Sequence, residues 1–275
     1  MDEPVVISHT GSLMLWLLAS MVALACTFVA HGWLRQVQRA REPRKAWGGL
    51  LLAALVLGTG MCASFVIVLS SQGLPFAIGF QTTAAATLWA LAVGGCLLAF
   101  TLLAWYPGWP TYIAAGVLMA GTTLSVQTGW VQAADFRPGT DWNTTHLWAA
   151  GTIMAMGLVC AYALTHVRTA LSSTGRMAWR IAATVVAALS LVTGQELVVA
   201  GARLGGQTGT VYEHQLSAPM LTLVSGAALP LVLLAMGMDL VLRREVKRYR
   251  SRDAGAALSD DRPRRHKKRH RSNRF

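Results

Sequence analysis

The run "IAATVVAALSLVTGQELVVAGA", Ile181–Ala202, decides how the chain is read. It is apolar from end to end except near its middle, where an amide and a carboxylate, Gln195 and Glu196, stand side by side. About 20 apolar residues are what a helix needs to cross the hydrocarbon core of a bilayer. An acid at that depth costs at least ~2.5 kcal/mol, so Glu196 and its neighbour belong inside a bundle and not against lipid.

The composition agrees. Hydrophobic residues make up 54% of the 275 and charged residues 13%, against about a quarter charged in a soluble domain. A net charge of +12 fits such a chain only if the charge is segregated, and 14 of the 24 Lys and Arg lie after Leu242. Seven apolar runs are long enough to span: 13–33, 47–70, 83–105, 111–133, 147–167, 181–202 and 217–242. The expectation is an all-α polytopic membrane bundle over residues 1–242, followed by a basic and largely disordered tail, 243–275. The first run follows "MDEPVVISHTGS", which is acidic, so it reads as a span and not as a cleaved leader.

Orientation follows from the basic residues. The segment Arg35–Lys45 carries five, Arg168–Arg180 three and the tail 14, while the loops of the other side hold only Arg137 and Arg203. This predicts an outer N-terminus, a cytoplasmic C-terminus and an odd number of spans.

The runs repeat. "FQTTAAATLWA" (Phe80–Ala90) opens span 3 and "WNTTHLWA" (Trp142–Ala149) opens span 5. Each has an aromatic, an amide, Thr-Thr and then a Leu-Trp-Ala entry, with Asn or Thr placed to cap the first free N–H groups. "SHTGSLMLWLLA" before span 1 is a looser copy. The chain is therefore expected to be three parallel helix hairpins plus span 7, in pseudo-threefold packing. Small residues in spans 2, 3 and 4 permit close approach.

Corresponding places in spans 2, 4 and 6 read "LGTGMCASFVIVL", "MAGTTLSVQTGWVQA" and "ALSLVTGQELVVAGA". In these stretches, and in hairpin spacing and span length over about residues 8–242, the sequence resembles the MHYT domain, a seven-span bacterial sensor module. The resemblance implies a bacterial inner-membrane location and a sensing role. In that family, Met-His-Tyr-Thr motifs near the outer face are proposed to bind copper. Here the motif positions read Ser64-Phe65-Val66-Ile67, Ser125-Val126-Gln127-Thr128 and Gly194-Gln195-Glu196-Leu197. Phe65, Val126 and Gln195 stand where the histidines would be, and Phe and Val cannot ligate a metal. The copper site does not carry over, and no cofactor is expected. A polar pocket is expected in its place, drawn from Ser64, Ser125, Gln127, Thr128, Gln195 and Glu196.

His9, His146 and His214 precede spans 1, 5 and 7 and are the only candidates for a relocated metal site; they lack ligand spacing and read as interfacial. The four cysteines, Cys26, Cys62, Cys96 and Cys160, fall within spans and read as small buried hydrophobes, and the 11 methionines as packing. Asp239 pairs in register with Arg243, one turn on. A retinal-binding protein would need a lysine at membrane depth, and Lys45, Lys247, Lys267 and Lys268 all lie outside the spans.

The tail blocks "RREVKRYRSR" and "RPRRHKKRHRSNRF" suit anionic headgroups, at about 1 kcal/mol per basic residue. Nucleic acid is a poorer match, since aromatics are nearly absent from them. The sequence holds no enzyme constellation. The expected role is a non-catalytic sensor or interaction subunit working with a separate signalling partner. The rivals are a small-molecule or proton-coupled transporter using Gln195 and Glu196, and a copper sensor with relocated ligands.

Overall fold

The computed structural model describes residues 5–6, 12–38, 43–72, 78–106, 108–134, 136–137, 140–166, 173–204, 209–210, 215–224, 232–234 and 236–238. It is mostly helical. In chain order the elements are β1 (Val5–Val6), α1 (Leu13–Val37), α2 (Pro43–Ser71), β2 (Gly79–Gln81), α3 (Thr82–Trp105), α4 (Trp109–Ala133), β3 (Phe136–Arg137), β4 (Thr140–Trp142), α5 (Thr144–His166), α6 (Ser173–Gly201), β5 (Ala202–Leu204), β6 (Gly209–Thr210), β7 (Gln215–Ser217) and α7 (Ala218–Leu223).

Among the described residues, five helices are long and apolar enough to cross a membrane: α1, α2, α3, α5 and α6. Helix α4 has the length, 25 residues, but Thr122, Thr123, Ser125, Gln127, Thr128 and Gln132 dilute its hydropathy. Of the expected span 217–242, α7 and the turns at 232–234 and 236–238 are described, and the remainder lies outside the described residues. So does the basic tail.

Residues Met1–Leu233 form one compact unit and Leu234–Phe275 a second. Within the first, α1 packs on α2, α3 on α4 and α5 on α6, and further contacts of α2 with α3, α4 with α5 and α1 with α6 close the six into a ring. The even-numbered helices also touch one another, so they line the inside. Burial follows the same division. In the most apolar stretch of α2, 78% of residues are buried, and in α6 56%, against 39% for α1, 39% for α3 and 28% for α5. The exposed faces of the odd-numbered helices are apolar, with Leu17, Met21, Leu98 and Met156 among them. Large apolar faces of this kind suit lipid and not water.

Glycines set the helix separation. A Cβ on Gly58 of α2 would stand 2.8 Å from the backbone nitrogen of Val93 in α3, and one on Gly95 would strike the Thr122 side chain of α4. These are the small-residue contacts expected of spans 2, 3 and 4, where backbones approach because no side chain intervenes.

The strands are the unexpected element. The connection from α6 to α7 contributes β5, β6 and β7, and each pairs antiparallel with a different part of the chain. β5 lies between β1 and β4, β6 pairs with β3, and β7 pairs with β2. One connection thus ties together the N-terminal segment and the α2–α3 and α4–α5 connections at one end of the bundle. The repeat seen in sequence has the same structural setting in two copies. Phe80 and Trp142 each lie in one of these strands, and a helix starts two residues later. Asn143 caps α5, its Oδ1 accepting from the Thr145 N–H at 3.1 Å. Gln81, one methylene longer, makes no such bond to α3.

Candidate functional site

The inner helices bring the expected polar residues to one level. Phe65, Gln127 and Gln195 each lie six residues before the last residue of α2, α4 and α6. All three are buried. On α4 both Val126 and Gln127 are buried at this level.

Gln195 Nε2 donates to Ser64 Oγ at 2.8 Å, and Ser64 Oγ donates to the Met61 carbonyl at 3.1 Å. The bond joins α6 to α2 with both side chains wholly buried. Gln195 Oε1 has no hydrogen-bond partner among the described residues, and neither do Nε2 and Oε1 of Gln127. A carboxamide offers two donors and an acceptor with two lone pairs. Leaving such groups unpaired in a dry interior costs about 1–3 kcal/mol each. Such atoms are where a water or a small hydrogen-bonding guest binds. Glu196 is half-buried one position on, about 100° around the helix, and has a polar interaction of its own.

Two of the six expected residues do not join this group. Ser125 is exposed. Thr128 is half-buried and donates to carbonyls of its own helix, Leu124 at 2.9 Å and Ser125 at 3.2 Å. Helix geometry explains the first, since Ser125 lies two residues from Thr123 and Gln127 and so faces away. Thr123 is the residue the sequence reading missed. It is wholly buried, donates to the Met119 carbonyl at 2.7 Å and lies 3.9 Å from Met61 Sδ. Its four-residue spacing from both Met119 and Gln127 was the available signal.

Sulfur atoms gather beside the polar pair. Cys96 Sγ lies 3.8 Å from Met61 Sδ and 3.6 Å from Met119 Sδ. Cys26 and Cys62 are buried as expected, but Cys160 is exposed on the bundle surface. Phe80 of β2 packs edge-on against Trp130 of α4, with ring centroids 5.0 Å apart, which holds the strand over the helix end.

Of the three histidines considered as metal ligands, His9 and His214 lie outside the described residues. His146 is half-buried at the start of α5, against Gly201. Among the described residues no three of His, Cys, Asp and Glu are grouped to hold a metal. No protein-family model matches the chain, and neither a curated protein nor a solved structure matches it.

Proposed function

We propose that the chain is a non-catalytic sensor or signalling subunit of a bacterial inner membrane, with an MHYT-like arrangement of seven spans. In this reading the N-terminus is outside and the tail 243–275 lies on anionic cytoplasmic headgroups. The stimulus acts at the polar level of the inner helices, on Ser64, Gln127 and Gln195 with Glu196 beside them. One observation carries the reading. Two buried glutamines stand at matching depth on α4 and α6, and three of their four amide atoms have no partner among the described residues. Polar groups inside a membrane bundle are costly and mark functional sites by default. The ring closed by α1 against α6, and the small residues at helix contacts, support the repeated-hairpin architecture.

A carrier is the reading to test against. Full-length protein in liposomes loaded with a pH-sensitive dye should hold an imposed proton gradient as well as protein-free liposomes do, and Glu196→Gln should change nothing. A leak abolished by Glu196→Gln would replace the sensor with a proton-coupled carrier.

A further inference from the structure

His31 of α1, Phe100 of α3 and Tyr162 of α5 each lie 18 residues after the first residue of their helix. All three are buried. They form a level of the odd-numbered helices, as Phe65, Gln127 and Gln195 form one of the even-numbered helices. The Ser12 N–H donates to the Ser71 carbonyl, so the start of α1 is level with the end of α2. By helix rise, His31 then lies roughly 18 Å deeper than Ser64, toward the end opposite the strands. One place of the three holds an apolar ring. The other two hold His31 and Tyr162, edge-on with ring centroids 6.1 Å apart. Beside them lies a cavity of about 10 Å³. We propose that this cavity binds one small monovalent anion of the halide class, with Arg35, His31 and Tyr162 as donors.

The lining is polar where polar groups are costly. His31, Arg35 and Gln38 follow at spacings of four and three on one face of α1, and Tyr162 and Thr165 at three on α5. The charge is of one sign. Among the described lining residues Arg35 is a fixed cation and none is a carboxylate. His31 Nδ1 is buried with no hydrogen-bond partner among the described residues, a costly state unless a guest in the cavity accepts its proton. Gln38 Nε2 donates to the Leu103 carbonyl at 3.2 Å and Thr165 Oγ1 to the Tyr162 carbonyl at 2.7 Å, so these two shape the wall. Arg35 has an interaction of its own, and its five N–H groups serve more than one acceptor. Size completes the choice. The cavity holds one water-sized occupant. Chloride and bromide are little larger than water, whereas sulfate and phosphate are too bulky. A water supplies an acceptor but no charge to the guanidinium; a halide supplies both.

An ion held by His31 and Arg35 of α1 and by Tyr162 of α5 links two helices that are remote in the chain. It binds the folded chain and not the unfolded one, so melting temperature should rise with halide concentration. The site does not depend on the polar-level reading, since none of Ser64, Gln127 and Gln195 lines the cavity.

The test is a titration of the full-length protein, in mild detergent and halide-free gluconate buffer, with radiolabelled chloride at constant ionic strength. Binding should saturate at one ion per chain. Unlabelled bromide should displace the label and sulfate should not. Arg35→Gln, Tyr162→Phe and His31→Phe, the last placing the α3 ring type on α1, should each weaken binding by at least about tenfold. Arg203→Gln removes an arginine of β5, at the strand end, and should leave binding unchanged. Melts in chloride against gluconate should show a higher melting temperature for the unaltered chain and no difference for Arg35→Gln. Absence of saturable chloride uptake would mean that only water enters the cavity, and would overturn the proposal. So would displacement by sulfate, loss of binding on Arg203→Gln, or full affinity in Arg35→Gln and Tyr162→Phe. The saturation and halide selectivity of the unaltered protein decide the matter even if the variants fail to fold.

Discussion

Helices α2 and α5 are both apolar enough to span, with mean hydropathies of 2.4 and 1.8 in their best stretches, yet 78% of one stretch is buried and only 28% of the other. Hydropathy does not separate them. Position in the ring does, because α2 touches α4 and α6 as well as its sequence neighbours. In a membrane the outside of a bundle is as apolar as its core, so the hydrophobic effect does not sort faces. The inner helices carry buried amides, Gln127 on α4 and Gln195 on α6, with Ser64 on α2 bonded to the second.

The largest effect expected from this division is steric. Gly58→Leu puts a side chain into the backbone of Val93, and overpacking of this kind costs about 1–3 kcal/mol or more. Gly94→Leu, on α3, meets nothing within 4 Å and should be nearly neutral. Thermal melts of the two variants in detergent compare them directly. If they lose equal stability, the assignment of α2 to the inside is wrong.

A second pair sharpens the comparison within the interior. Gln195→Leu deletes the 2.8 Å bond to Ser64 and should destabilise by about 1 kcal/mol. Gln127→Leu removes two buried polar atoms that no described residue satisfies, and should stabilise the unliganded protein by about 1 kcal/mol. Opposite signs are the expected result, read from the same melts. Such a gain is the usual mark of a residue kept for function at a cost in stability. A loss on Gln127→Leu would mean that a tightly held guest already satisfies the amide.

Much of this architecture is legible in the sequence, and the reasons for the rest are physical. The apolar runs announce the helices, and the repeated "FQTT" and "WNTT" openings announce hairpins, because caps and aromatic anchors are local features. The burial of Gln127 together with Val126 was not legible, since neighbouring residues point about 100° apart on a helix and only packing shows which are covered. Neither were β5, β6 and β7. Strands of two or three residues carry no periodic signal, and their partners are remote in the chain. The meeting of Met61, Cys96 and Met119 is likewise invisible before three helices are packed, as each sulfur stands alone on its own helix face.

The smallest effect tests whether the inside differs from the rim in kind or only in burial. Trp89 Nε1 donates to Thr59 Oγ1 at 3.0 Å, joining α3 to α2 at an exposed position. Ser64 and Gln195 join α2 to α6 at an almost identical distance, fully buried. Interhelical hydrogen bonds in membranes average about 0.6 kcal/mol, because the separated helices find other partners. The rim bond should fall at or below that value in a double-mutant cycle of Thr59→Val with Trp89→Phe. The buried bond, in a cycle of Ser64→Ala with Gln195→Leu, should exceed it, because neither amide nor hydroxyl has water to turn to when its partner is removed. Equal coupling in the two cycles would mean that water reaches the level of Gln195, and the polar core would then be a wet cavity open to one end of the bundle.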